Sequence, residues 1–432
     1  MTHGFSKLTK SQKIDWLCER YFTNEPDARQ RFERYFNADE ALQKLHDEFI
    51  ENAVSNYYLP FAVAPNFVIN GKIYTVPMVI EESSVVAAAS RAAKFWQSRG
   101  GFQSEVISTE KNGQVHFMFY GDKNTLQSFF EDKKSVLLES ANHLTANMKK
   151  RGGGITDLRL VDKTDELPHY YQLYASFETL DAMGANFINS CLEQFAETFR
   201  SEAEKIPAIG QKLDIVMSIL SNYVPECLVR SAVSCPVEKL SFGEINGKEF
   251  AEKFVRAIAI ANAEVRRATT HNKGVMNGID SVILATGNDF RAVEAGVHAY
   301  ASRNGRYQSL TNAWITDGIF HFEIIVPLAL GTVGGLTSLH PMAKTALQIL
   351  ENPSATELMM IAATVGLAQN FAAVGSLTTS GIQKGHMKMH LMNILNQLGA
   401  TDPEKQQIAA YFSEKTVTHS EVVQKFKEVR GE

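Results

Sequence analysis

Apolar positions in the first sixty residues recur at helical spacing. Ile14, Leu17, Cys18 and Tyr21 form one face, and Leu42, Leu45, Phe49, Ile50 and Val54 form another, with Glu51 and Asn52 near the end of the second helix. The period changes at NFVINGKIYTVPMVIEESS, where Asn70-Gly71 between two apolar runs is a strong hairpin signal. The second run ends at Glu81-Glu82, and Ser83-Ser84 opens the helical VVAAASRAAKFW. Next come a strand (Gln114–Tyr120), a helix (Thr125–Lys150), three glycines, two strands (Ile155–Val161 and Tyr170–Phe177), a helix (Ala182–Ala203) and a strand (Leu213–Leu220). That β-α-β-β-α-β order predicts a ferredoxin-like split inserted into a larger domain. A helix from Lys248 to Arg266, strands around Tyr307–Trp314 and Gly318–Val326, and a glycine-rich bend at Gly331–Gly335 follow. The long apolar helix holding Gln369 and Asn370 is next, and Asp402-Pro403 and Thr418…Glu421 start two helices of a small tail.

One stretch interrupts this regularity. Arg266 to Ala295 reads RRATTHNKGVMNGIDSVILATGNDFRAVEA and places Arg267, His271, Lys273, Asn277, Asp280, Asp289 and Glu294 among three glycines. Each glycine costs about 1 kcal/mol against alanine inside a helix, so the stretch predicts a buried polar site on short helical pieces. Lys273 and Asp289 are natural partners there, because a buried charge needs a counter-charge or hydrogen bonds. An ion pair that merely ties two helices together has the same signature.

The chain has 432 residues, 44% hydrophobic and 21% charged, with net charge −5. That length allows two domains with a small third, and the charge gives no reason to expect nucleic acid. Cys18, Cys191, Cys227 and Cys235 form no CxxC pair and no metal spacing, as expected for thiols in a reducing compartment. No signal-peptide pattern opens the chain. The most apolar window, Leu358 to Leu377, is interrupted by Gln369 and Asn370 and predicts a buried helix, not a membrane span. A cytoplasmic protein without a membrane anchor or bound metal is expected. No GxGxxG follows a strand, so no Rossmann site is predicted.

THNKGVMNGID followed by ATGNDFRAVEAG resembles the catalytic segment of the 3-hydroxy-3-methylglutaryl-coenzyme A (HMG-CoA) reductases, the soluble class II enzymes most of all. VPMVIEESSVVAAAS, DAMGANFIN and GIQKGHMKMH agree with that family in order and spacing, and the resemblance covers nearly the whole chain. It implies an α+β fold. A large, mainly helical substrate-binding and dimerisation domain (1–110 and 222–376) carries an inserted non-Rossmann dinucleotide-binding domain (111–221), and a small helical flap (377–432) follows.

The family's activity is the four-electron reduction of HMG-CoA to mevalonate and free CoA with two NADPH or NADH, by a homodimer, or a higher oligomer, with active sites at the subunit interface. By resemblance, Glu82, Lys273, Asp289 and His386 are the catalytic residues. Glu51, Asn52, Ser84, Arg267, Asn277 and Gln369 bind substrate, and Glu178, Asp181, Met183, Gly184, Asn186 and Asn222 bind the cofactor. Two positions depart from the family pattern: Ser83 replaces its usual proline and Ser55 its usual glycine.

The chemistry explains why such residues are needed. Each hydride addition puts negative charge on an oxygen, which a fixed cation such as Lys273 stabilises. Glu82 is the proton donor to that oxygen, with Asp289 holding Lys273 and acting on Glu82. His386 protonates the departing thiolate near neutral pH. Plainer explanations exist for several of these residues. Acids and serines suit a helix start, and an aspartate with a nearby glycine can simply cap a helix. Glu178 could accept from a ribose 2′-hydroxyl and repel a 2′-phosphate, which leans toward NAD. The same residues would also serve the oxidative direction, mevalonate degradation with NAD and CoA. A non-catalytic CoA- or dinucleotide-binding protein would have no need of all four catalytic residues.

Overall fold

A computed structural model describes residues 4–243, 245–379, 391–412, 415 and 417–431. The chain divides into two compact units, Met1–Pro60 and Phe61–Glu432. The first holds α1 (Lys10–Tyr21), α2 (Ala28–Glu33) and α3 (Glu40–Asp47). Thr9 and Gln12 close a capping box on α1. The helix expected to continue to Val54 stops at Asp47, because the chain turns there and Asn52 takes φ 58. Ser55 does not have positive φ, and its hydroxyl donates to the Phe32 carbonyl at 2.6 Å. Nothing in this backbone requires a glycine at that position.

The second unit opens with the hairpin β1 (Phe61–Ile69) and β2 (Lys72–Val79). Its turn places Asn70 at φ 52 and Gly71 at φ 83, the left-handed pair that a two-residue turn demands. Then come α4 (Val85–Gln97), β3 (Gln103–Val106), β4 (Lys111–Phe119), α5 (Lys123–Ser140), α6 (Asn142–Lys150), β5 (Gly154–Asp162), β6 (Tyr170–Glu178), α7 (Ala185–Glu204), α8 (Pro207–Gly210) and β7 (Leu213–Leu220). The single helix expected over Thr125–Lys150 is broken at Ala141. β4 to β7 make an antiparallel sheet in the order β5-β6-β4-β7, the spatial order of a split β-α-β arrangement. One face is covered by α5 and α7, whose Phe129, Phe130, Phe195 and Phe199 form a hydrophobic cluster of their own with Phe117 and Leu173.

Beyond it lie β8 (Leu228–Pro236), α9 (Gly247–Ala263), α10 (Val265–Ala285), α11 (Phe290–Ala301), β9 (Thr311–Thr316) and β10 (Ile319–Pro327). Then follow α12 (Gly335–Leu339), α13 (Pro341–Ile349) and α14 (Ala355–Thr378). A second antiparallel sheet runs β3-β8-β10-β9. α14 is long and apolar enough to cross a membrane, yet 89% of its most apolar window is buried inside the protein. Phe371 at its centre lies 5.1 Å from both Phe95 and Trp96 and 5.4 Å from Phe254, ring centre to ring centre. Its buried Thr364 hydroxyl closes a ring with Ser104 and Ser231 at 2.8–2.9 Å, so three core hydroxyls satisfy one another.

The last described elements are a helix over 391–397 (α15), α16 (Asp402–Tyr411) and α17 (His419–Arg430). Leu395, Ile408, Val422 and Phe426 form their separate small core. Thr401 and Thr418 start α16 and α17 with Glu404 and Glu421 three residues on.

The main correction concerns Arg266–Ala295. Val265–Ala285 is one continuous 21-residue helix, with Glu264 capping its start. Gly278 is there for packing. A Cβ on Gly278 would stand 2.6 Å from the Val365 carbonyl, and one on Gly366 would stand 2.7 Å from Ile279, so α10 and α14 cross in near backbone contact. Gly274 has nothing within 4 Å and faces open space.

Candidate active site

α4, α10 and α14 enclose a cleft of about 410 Å³ whose walls include Glu82, Ser83, Ser84, Arg91, Arg267, His271, Lys273, Gly274, Asn277 and Gln369. Helical spacing puts Arg267, Thr270, Gly274 and Asn277 on one side of α10. The β2–α4 junction then presents Glu82 to that side. Lys273 Nζ donates to Glu82 Oε2 at 2.5 Å, and Asn277 Nδ2 approaches the same oxygen at 3.4 Å. Glu82 is the partner that Lys273 finds. Asp289 instead caps α11, accepting from the Arg291 and Ala292 N–H groups, and pairs with the Arg291 guanidinium at 2.9 Å. The expected Lys273–Asp289 pair is therefore absent among the described residues: the turn after α10 commits Asp289 to a helix start. Asn277 and Lys273 share that one Glu82 oxygen. The site is also less buried than expected, since the Lys273 side chain is 60% exposed.

Ser84 overturns its plain explanation. It stands at the N-cap position of α4, but at φ 75 and with no capping bond, and its buried hydroxyl has no partner. Strain at a non-glycine residue with an unsatisfied hydroxyl at a cleft wall is a feature of functional sites. Gln369 Oε1 is likewise buried without a partner at the same cleft. The neighbouring Asn370 is a satisfied core amide, donating to the His271 carbonyl and accepting from Thr311 Oγ1.

Charge in the cleft is lopsided. Arg267 is partly buried, with its pKa lowered by desolvation, and its side chain makes no ion pair among the described residues. Arg91 reaches Ser376 Oγ at 3.0 Å and brings a second guanidinium that the motif comparison did not single out. Its position, two helical turns after Ser84, was the available clue. His271, expected in the polar site, is buried in the core. Thr311 Oγ1 lies 2.7 Å from its Nε2 and 3.3 Å from Asn370 Oδ1. The buried Asn370 oxygen has no other donor, so Thr311 gives it a proton and His271 Nε2–H donates to Thr311. Burial pushes the pKa of the imidazole down to about 3.

The proposed cofactor residues gather elsewhere, where β6 passes into α7. Met183, Ala185 and Asn222 line a narrow slot with Lys111 and with Ala292, Val293 and Gly296 of α11. Gly184 holds φ +85, and a Cβ there would stand 2.5 Å from Thr179 Cγ2. Asn186 is exposed on the first turn of α7, which starts at Ala185 and not at Ala182. Asp181 does not cap its own helix: Oδ1 accepts from the Ala355 N–H at the start of α14 at 2.7 Å, while its carbonyl accepts from Thr332 and Val333. Glu178 already accepts from Thr109 Oγ1 and, at 2.7 Å, from the Leu180 N–H.

Gly331 ties the turn after α10 to the slot. Asn288, just before Asp289, accepts from the Gly331 N–H at 2.8 Å, and Gly331 packs so closely on Met183 that a Cβ would meet its nitrogen at 2.5 Å. Glu51 and Asn52 lie in the turn after α3, within the first unit. His386 and the GIQKGH segment lie outside the described residues.

A family model described as hydroxymethylglutaryl-coenzyme A reductase matches residues 16–391. A reductase of that name from Archaeoglobus fulgidus is 36% identical over 406 residues, covering 93% of this chain and 88% of the relative. The class II enzyme of Streptococcus pneumoniae, in structures bound to NADPH in open conformations, superposes with a TM-score of 0.72 at 37% identity, covering 87% of this chain and 99% of that one. Another structure of the Streptococcus pneumoniae enzyme covers 99% of both chains with a TM-score of 0.73 at 34% identity. The chain belongs to the hydroxymethylglutaryl-coenzyme A reductase family.

Proposed function

We propose that this enzyme reduces HMG-CoA to mevalonate and free CoA in two hydride transfers, with the chemistry centred on Glu82 and Lys273. The observation that carries the reading is their 2.5 Å pair at the wall of a cleft that also holds an arginine without an acid partner among the described residues. A thioester carbonyl beside Lys273 Nζ would gain negative charge as hydride arrives, and the ammonium stabilises it without reorganisation. Glu82 gives the oxygen its proton, held in position by Asn277. Arg267 receives the free carboxylate of the HMG group as a bidentate fork, with Ser84 and Gln369 offering their unsatisfied polar atoms to the same ligand. His386 protonates the departing thiolate as the hemithioacetal collapses to mevaldehyde, which is then reduced in the second transfer.

We assign the nicotinamide dinucleotide to the surface at the start of α7. A glycine at positive φ leaves no room for a side chain there, and the first N–H groups of a helix are free to meet a phosphate. When bound, the cofactor supplies the hydride. The split β-α-β sheet over 111–221 is then its domain, 1–110 with 222–376 binds substrate, and 377–432 is the flap that excludes water. By family resemblance, Glu51 and Asn52 also bind substrate. The exposed side of Lys273 supports a homodimer in which a second copy covers the cleft, and Asp289 acts there on the Glu82–Lys273 pair. NADPH is the biosynthetic expectation. Glu178 is the local feature that favours NADH or the oxidative direction.

The test is HMG-CoA-dependent loss of nicotinamide absorbance by the wild-type enzyme and by Lys273→Met. Turnover by wild type alone supports the reading. Equal turnover by both, or by neither, contradicts it.

A further inference from the structure

Lys111 is a buried cation that the reaction as described does not use. It opens β4, is only 4% exposed, and lines the slot beside Met183 and Asn222. Its ammonium donates to Thr179 Oγ1 at 2.5 Å and to the Ala182 carbonyl at 3.0 Å. These two bonds pin the turn that leads into Gly184. An ammonium has three donors, and the third has no acceptor among the described residues.

The surrounding charges do not account for it. Glu178, Asp181 and Cys227 are the titratable groups that act on it, and each is committed elsewhere. Glu178 bonds Thr109 and the Leu180 N–H, Asp181 bonds the Ala355 N–H, and the Cys227 thiol, its pKa pushed up by burial, points to the Leu328 carbonyl at 3.6 Å. Burial lowers the Lys111 pKa. No carboxylate bonds the ammonium directly among the described residues, and the cost of burying its charge falls when an anion arrives. Next to it, the N-terminus of α7 offers free N–H groups and the same sign of potential.

From this we infer that Lys111 is a cofactor-binding residue whose third N–H meets the pyrophosphate of the dinucleotide at the start of α7. The inference rests on the cofactor slot of the proposed function. It predicts that binding strengthens as Lys111 is protonated and that a proton is taken up from solution when the anion binds.

The experiment is direct binding, without turnover. NADH and ADP-ribose are titrated into the wild-type protein and into Lys111→Met by calorimetry, between pH 7 and 10, in buffers of different ionisation enthalpy. ADP-ribose keeps the pyrophosphate, lacks the nicotinamide, and has no 2′-phosphate to confuse the proton count. Loss of a charge-assisted hydrogen bond should weaken both ligands alike, by roughly ten- to a hundredfold, and abolish the proton uptake seen with wild type. Thr179→Val removes the bond that pins the turn but keeps the charge, and should retain the uptake.

Weakening of NADH but not ADP-ribose would move Lys111 to the nicotinamide end and overturn the assignment. Unchanged affinity for both would overturn it too, while leaving HMG-CoA-dependent oxidation of NADH intact as evidence for the reductase. If Lys111→Met does not fold, the wild-type protein decides alone, and binding without proton uptake contradicts the inference. No binding of either ligand by wild type would defeat both this assignment and the cofactor slot beneath it.

Discussion

Lys273 Nζ and Glu82 Oε2 meet at 2.5 Å although the two residues stand 191 positions apart. The contact joins the middle of α10 to the junction of β2 and α4, so every element that fixes the position of α10 also fixes this pair.

That pair sets the first prediction. Lys273→Met should lower kcat at least 10²–10³-fold for HMG-CoA, about the cost of losing one preorganised oxyanion donor, and should equally impair reduction of free mevaldehyde. His386→Gln should impair HMG-CoA reduction while sparing mevaldehyde, because only the thioester releases a thiol. Parallel assays on the two substrates check this. Equal loss of both activities in the His386 variant would remove it from the role of thiol protonator.

The two glycines of α10 should respond in opposite ways. Gly278→Ala drives a methyl group to 2.6 Å from the Val365 carbonyl, and overpacking of this kind costs about 1–3 kcal/mol. Gly274→Ala meets nothing within 4 Å and should gain up to ~1 kcal/mol of helix propensity. Thermal or urea unfolding distinguishes them: a lower Tm for the first variant, an equal or higher Tm for the second.

This contrast also shows what the sequence could reveal. Asn70-Gly71 is read correctly because the turn residues alone determine a two-residue hairpin. Gly278 misleads, because propensity is local while its cause is α14, some ninety residues further along the chain. β8 goes unread because its inward positions include Ser231 and Cys235 beside Val229 and Val233. The alternation in burial is regular, but the alternation in hydrophobicity is not. In the same way, four motifs in order are enough to place Glu82 and Lys273 in one site. The commitment of Asp289 to the start of α11, and of Asp181 to the N–H of Ala355, depends on how the loops meet and has no local signature.

Asp280 gives a pH prediction. Burial and the neighbouring Glu294 carboxyl raise its pKa well above the ordinary carboxylate value, while Glu294 is held down by His298 at 2.6 Å. Between the unfolded value near 3.8 and the raised folded value, the folded protein keeps a proton that the unfolded chain has released. Stability contributed at Asp280 therefore falls as pH rises through that window. Asp280→Asn should flatten the decline and gain on wild type as pH rises from 5 to 8, read as Tm against pH. A difference in Tm that does not vary with pH would contradict the assignment.

Cofactor choice is tested at Glu178. Its carboxylate is already bonded to Thr109 and to the Leu180 N–H, which fixes it at the end of β6. If it faces the ribose, Glu178→Ala should raise kcat/KM with NADPH relative to NADH by about tenfold, since removing a buried acceptor or a like charge changes discrimination by about 1–3 kcal/mol. An unchanged ratio would place the 2′ position elsewhere.

The central claim is tested most directly by stoichiometry. The wild-type enzyme, HMG-CoA in limiting amount, and excess NADPH or NADH in parallel are followed to completion by nicotinamide absorbance, with released CoA counted by a thiol reagent. Two reduced nicotinamides oxidised and one thiol released per HMG-CoA would be the four-electron reduction predicted here. One nicotinamide per thiol, or thiol release without any oxidation, would mean that the Glu82–Lys273 site performs a different reaction.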